Sequence, residues 1–377
     1  MATGTGTAAR TAGTAGTAGT AGTAGTAGTA GTARAAARAW GRPARAAAGE
    51  VGPGAAALGS RRAGGRGGRL RRTLLASLVA AAVVVPVSAA ASAHVPAPAP
   101  TVFAGDASPR SRYAAHRADL AEAVRMAEEA DRTGRADRLR TMSASGTAQF
   151  LAFDGRGRGR AVEVFGDLET AERIAVLVPG SDTTLDTYER FRSGAVALQQ
   201  RLRAEHPRSA VVAWLGYDTP GTISTTVLTA GRADDAAAEL QPFLNRLAGM
   251  AAPGARLSLL CHSYGSVVCA RTATGPAVGD VVLFGSPGTG AGTARELPTT
   301  GRVWAGRGGA DWIAGVPHVR FGGLGFGTDP VDPAFGARAF DAGPGGHSDY
   351  LKPGTRSLDA LAAIVLGTAP VEEASHA

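Results

Sequence analysis

Lysine is all but missing from this chain, with Lys352 alone among 377 residues, and cysteine is held to two, Cys261 and Cys269. A single close pair cannot staple a small disulfide-built domain, so the fold must rest on a buried core. The pair would join a strand end to a point two turns down the next helix, which is marginal in reach, and two packed thiols are expected. With lysine gone, nearly every cation is arginine, which GC-rich coding explains more simply than arginine-specific recognition does. His-Glu-x-x-His, a paired Cys-x-x-Cys and a Gly-Lys-Ser/Thr loop are all absent. Neither a metal site nor a phosphate cradle is therefore expected, and no cofactor is implied. The glycine-rich stretch 322–327 lacks the strand-to-helix turn that a nucleotide cradle needs.

Acidic residues are missing from the first ninety-odd positions except for Glu50. Eleven of the 39 basic residues and one of the 31 acidic ones precede residue 94, so the formal +8 becomes −2 (28 against 30) for the rest. The body is near neutral and carries no nucleic-acid footprint. Apolar bulk is missing from the front as well. Residues 11–33 are an unbroken Thr-Ala-Gly repeat, which cannot bury enough surface to offset its chain entropy. Residues 1–73 read as a disordered leader.

Residues 74–93 then form the one long apolar run, preceded by the arginines of 61–72 and ending in Ala91-Ser92-Ala93 before His94. Basic region, apolar region and small-residue cleavage site together predict a secretory signal and a protein that is secreted or held in the cell envelope. Arg71-Arg72 resembles a twin-arginine signal. The run, about twenty residues, is also just long enough to span a bilayer, so a retained membrane anchor stays open. A signal this far in suggests that translation starts later than Met1. Residues 94–110 read as a Pro/Ala linker.

The body of about 280 residues suits one well-buried domain. Residues 111–145 carry a helical pattern with Leu120, Val124, Ala127 and Leu139 on one face, read as a packing helix or else a lid or partner arm. From 146 to 370 the pattern is α/β. Two alternating strands, 147–153 and 160–165, flank an Asp154-Gly155-Arg156-Gly157 turn. Short, largely apolar runs follow at 174–178, 210–215, 257–260 and 280–284, separated by helical stretches, with later strands at 302–305 and 318–321. Apolar strands alternating with helices predict a mostly parallel sheet with helices on both faces behind a leading antiparallel pair.

The sharpest local signal is Cys261-His262-Ser263-Tyr264-Gly265. A strand ends, a serine sits in the turn, and a helix starts at once, which is the layout of a nucleophile elbow. Cys261 stands where glycine is usual, and Gly265 keeps the second small position. The rival role for Ser263 is a plain helix cap. Pro179-Gly180-Ser181 ends the first parallel strand, where this architecture supplies one oxyanion donor; the N–H of Tyr264 supplies the other. Of the histidines well downstream, His318 enters a predicted strand, while His347 hangs in a glycine-rich loop and is the candidate base. His262 is expected to pack or hydrogen-bond locally. Asp311, just past a strand end, is the candidate acid, with Asp329 in reserve. Gly180, Asp182, Tyr217 and Asp218 follow the C-terminal edge of the sheet and are candidate substrate-binding residues.

Several segments in order resemble one family: Cys261-His-Ser-Tyr-Gly-Ser266, Gly285-Ser-Pro-Gly288, Ala310-Asp-Trp312, Gly327-Thr-Asp-Pro330 and Gly346-His-Ser-Asp-Tyr350. Over residues 150–366 the chain resembles the actinobacterial α/β-hydrolases grouped as a domain of unknown function, DUF1023. The resemblance implies the α/β-hydrolase fold and a Ser263, Asp311 and His347 triad, and it implies no substrate. Trp312 follows the acid where that family often has proline. The expected activity is an exported serine hydrolase acting on a small-molecule or lipid ester, or an amide. An acyltransferase using the same site and a non-catalytic binding protein of this fold are the alternatives.

Overall fold

The apolar runs become strands buried on both faces. The computed structural model describes residues 95–370 apart from 104–106, 145–147 and 321–323. The expected leader (1–73) and signal segment (74–93) lie outside the described residues. The central strands are β3 (Arg173–Val178), β4 (Ser209–Leu215), β5 (Arg256–His262), β6 (Val278–Phe284) and β7 (Arg302–Gly306), and they pair in parallel. Ahead of them, β1 (Phe150–Asp154) and β2 (Arg160–Phe165) form an antiparallel hairpin, with β2 antiparallel to β4. A two-residue β8 (Arg338–Ala339) closes the far edge beside β7. The order across the eight strands is β1-β2-β4-β3-β5-β6-β7-β8.

The helical pattern of 111–145 resolves into two helices, α1 (Pro109–Glu129) and α2 (Thr133–Ser143). Asp131 takes a left-handed φ of 56° between them, which no continuous helix allows. Their apolar face is spent on packing: Leu120, Ala123 and Leu139 bury against Phe150 and Phe153 of β1. Buried Arg135 fixes this pair to the hairpin, donating to the carbonyls of Gly155 (2.9 Å) and Gly157 (2.8 Å) and to the Asp186 carboxylate (2.8 Å). The parallel crossovers use α3 (Tyr188–Glu205), α4 (Gly231–Met250) and α5 (Tyr264–Cys269), and α6 (Arg356–Leu366) ends the fold. Alternate residues of β3 serve the two layers. Ile174, Val176 and Val178 face Leu240, Leu244 and Leu247 of α4. Ala175 and Leu177 face Leu198 and Leu202 of α3 and Leu361 of α6. Among the described residues, no helix is long and apolar enough to cross a membrane.

The strand expected over 318–321 does not form. Residues 318–320 are irregular, and Val319 turns its side chain to a surface cavity instead of a core. An alternation this short, followed by glycines, has too little apolar surface to bury, and the place beside β7 goes to Arg338–Ala339.

Candidate active site

β5 runs straight into α5 with only Ser263 between them, and that residue pays in backbone conformation. Its φ of 54° and ψ of −126° are rare for a residue with a side chain, a strain of about 1–3 kcal/mol that persists only where neighbours enforce it. Here they do. The Ser263 N–H donates to the Phe284 carbonyl at 3.0 Å. The Ser263 carbonyl accepts from the Ser266 N–H (2.9 Å) and the Ser266 hydroxyl (2.6 Å), and Ser266 is itself bonded to Ser286 at 2.6 Å. Two glycines let the chains close in. A Cβ on Gly265 would lie 2.6 Å from the Val178 carbonyl oxygen, and one on Gly180 would lie 2.6 Å from Ser263 Cβ.

Cys261 and Cys269 are joined by a disulfide, contrary to the packed thiols expected from spacing. Cys269 lies only five residues past the helix start, and α5 folds back over the end of β5. The two Cα atoms come within 6.4 Å, inside the usual range of about 4.4–6.8 Å. The nucleophile candidate therefore sits inside a covalently closed loop.

Above the elbow the structure brings three distant residues into one chain of hydrogen bonds. His347 Nε2 lies 2.9 Å from Ser263 Oγ, and His347 Nδ1 lies 2.8 and 3.1 Å from the two Asp311 oxygens. Nδ1–H thus donates to the carboxylate, leaving Nε2 to accept from the serine hydroxyl. Asp311 also accepts from the Ile313 N–H (2.9 Å) and the Tyr350 hydroxyl (2.5 Å). Burial by itself would raise the Asp311 carboxyl, but these bonds from His347, Tyr350 and Ile313 outweigh it and hold its pKa below the ordinary value. The Tyr350 hydroxyl accepts from the Gly308 N–H at 3.0 Å, and burial together with its bond to Asp311 pushes its pKa up. The Asp311 side chain is 0% exposed and that of His347 12%, so the relay is closed to solvent at its acid and partly open at its base.

The loops holding the acid and the base are joined by their main chains. The Gly309 N–H donates to the Gly343 carbonyl (2.9 Å) and the Ala310 N–H to the Gly345 carbonyl (3.2 Å). His262 adds a third tie, its Nε2–H donating to the His347 carbonyl at 2.8 Å. Burial, with His347 next to it, lowers the His262 pKa from 6.5 to about 3. It is a neutral donor, the local role expected of it. The His347 ring lies 4.7 Å from those of both His262 and Trp312.

The other predicted residues divide. Asp329, the reserve acid, is bound to Arg307 and the Val331 N–H and lies 3.7 Å from His318, away from the relay. Gly180, Ser181, Asp182 and Tyr264 line the cavity over Ser263. Tyr264 is the first residue of α5, so its N–H has no acceptor within the helix. Asp182 is partly committed, its carboxylate accepting from the Thr222 N–H at 3.1 Å. Tyr217 and Asp218 do not reach the cavity. Tyr217 is buried against Trp214 and donates to the Pro179 carbonyl (2.7 Å), while Asp218 stands outside, 3.5 Å from Arg160. Sequence reasoning gave no role to Tyr350, although its place three residues after His347 was a usable signal.

The sheet order and the strand–serine–helix turn define the α/β-hydrolase fold. A family model described as Alpha/beta hydrolase matches residues 154–321. The chain is similar to an uncharacterized protein of Mycobacterium tuberculosis, 30% identical over 256 residues, covering 56% of this chain and 37% of that one. It is also similar to an uncharacterized protein of Mycobacterium bovis, 34% identical over 184 residues, covering 44% of this chain and 66% of the relative. The chain thus spans well under half the length of the first relative. Among solved structures it resembles esterase LipW from Mycobacterium marinum at 16% identity, covering 65% of this chain and 88% of that one, with a TM-score of 0.38. It also resembles XC6422, an a/b serine hydrolase without lid from Xanthomonas campestris, at 16% identity, covering 60% and 97%, with a TM-score of 0.35.

Proposed function

We propose that this chain is an exported serine hydrolase that cleaves esters, and by the same chemistry amides, through an acyl-enzyme on Ser263. The observation that carries the reading is the unbroken relay from Ser263 Oγ through His347 to Asp311, anchored at a strained turn and opening on a cavity. His347 Nε2 takes the hydroxyl proton as Oγ attacks the substrate carbonyl carbon. The resulting oxyanion is held by the N–H groups of Ser181 and Tyr264. Collapse breaks the bond to the leaving group, which departs with the proton from His347. Water, deprotonated by the same nitrogen, then releases the acid and restores Ser263. Asp311 keeps the imidazole in the useful tautomer and stabilises its charged form. Gly180 and Asp182 border the substrate. Export is supported by the segment 61–93, and the Cys261–Cys269 bond suits an oxidising compartment.

Labelling of the full-length protein with a fluorophosphonate probe tests the chemistry. The wild type should label and Ser263→Ala should not, with ester hydrolysis falling at least about 10³-fold in the variant. A folded wild type that stays unlabelled would sink the proposal.

A further inference from the structure

The cavity over Ser263 measures about 1000 Å³, at the top of the roughly 300–1,000 Å³ usual for small-molecule pockets. A short acyl group such as acetyl would leave most of it to water. Much of its apolar lining comes from one stretch of the sequence: after Asp311 come Ile313, Val316, Pro317, Val319, Leu324 and Phe326. This stretch begins at the Trp312 ring, 4.7 Å from that of His347, and ends with Phe326 edge-on to Tyr264, 5.8 Å between ring centres. It therefore starts beside the base and finishes against the side chain of the residue that follows the nucleophile.

The exposed apolar surface is gathered at the same place. Among the described residues, six large hydrophobic side chains stand exposed: Val102, Ile223, Leu228, Trp312, Val319 and Leu324. Four of them line this cavity, Leu228 (48%), Trp312 (55%), Val319 (63%) and Leu324 (52%), and Ile223 adjoins the lining residue Thr222. Scattered singly, such side chains would mean nothing. Collected at the mouth of one cavity, they form a surface that is favourable only when an apolar ligand covers it.

Resting on the serine hydrolase reading, we infer that the substrate is an ester of a long apolar acyl chain, held along residues 312–320 and 324–326 with its carbonyl at Ser263. The acyl part stays on Ser263 through both steps, so it is the part served by a wall that begins beside His347 and ends against the residue after Ser263. The same wall keeps the chain out of water while a single water molecule resolves the intermediate.

The test is a series of 4-nitrophenyl esters, from acetate to dodecanoate, assayed on the full-length protein below their aggregation concentrations. Each added methylene should raise kcat/KM by up to about fourfold, with the maximum at about eight carbons or longer. Leu324 is half exposed, so Leu324→Asp spares the core; it should lower kcat/KM on dodecanoate by about tenfold, chiefly through KM. Acetate preferred over every longer ester, or Leu324→Asp leaving the ratio of dodecanoate to acetate unchanged, overturns the inference. A long chain accepted only on the alcohol side of an acetate overturns it too. In these cases fluorophosphonate labelling of Ser263 persists and the hydrolase reading stands. Loss of labelling and of all ester hydrolysis instead removes that reading and the inference with it.

Discussion

Next to the nucleophile, His262 holds no proton at Nδ1 while its Nε2–H supports the His347 main chain. Its depressed pKa has a consequence for stability. The unfolded chain binds a proton at His262 near the ordinary 6.5, whereas the folded chain resists it down to about 3. Stability from this residue is therefore complete above about pH 6.5 and is lost as pH falls towards about 3, at up to about 1.4 kcal/mol per pH unit. Asp311, whose carboxyl is held below its ordinary value of 3.8, adds its own loss only in more acid solution. Buried Glu163, whose pKa burial raises from 4.5 to about 7, gains stability as pH falls over the same interval. The test is therefore a difference: from pH 7 to 5 the urea unfolding free energy of the wild type should fall relative to that of His262→Gln, which keeps a donor without the titration. Equal slopes in the two proteins would show that His262 is not the group responsible.

At the scale of elements, the elbow is the part of the fold under most constraint, and the disulfide closes over it. A loop this short is worth about 2–3 kcal/mol through the freedom it removes from the unfolded chain. The double variant Cys261→Ala/Cys269→Ala should lose about that much unfolding free energy. It should also label more slowly with a fluorophosphonate, because Ser263 would be freer to leave its positive-φ turn. Unchanged stability and an unchanged labelling rate would make the bond an ornament. The acid and base loops show a different kind of constraint. Their register rests on peptide groups of Gly309, Ala310, Gly343 and Gly345, with the His262 side chain as a third tie at the His347 carbonyl.

For the whole molecule, much was legible because the central parallel strands β3 to β6 were largely apolar runs, and the chain order of serine, acid and histidine narrowed the site to a few candidates. What escaped depended on where a chain goes after its strand ends. Tyr217 follows β4 at the correct edge, yet it turns under Pro179 instead of into the cavity. The disulfide depended on how closely the first turns of α5 return to the end of β5, which spacing along the sequence does not state. The missing strand at 318–320 and the presence of β8 turn on the same question of where apolar side chains find cover. Asp329, equal to Asp311 in residue type, was separable only by Arg307 claiming it. Expression in a secreting host should yield a mature protein whose amino terminus, read by mass spectrometry, is His94; a full-length cytoplasmic product would count against export.

The wall that would hold a substrate begins one residue beyond Asp311, while the loops that set the relay are stitched by main chain. Reactivity and selectivity are thereby written in separable text. Side chains such as Val316, Val319 and Leu324 can be exchanged across generations, redirecting the enzyme to other acyl groups, while the proton path is inherited unaltered.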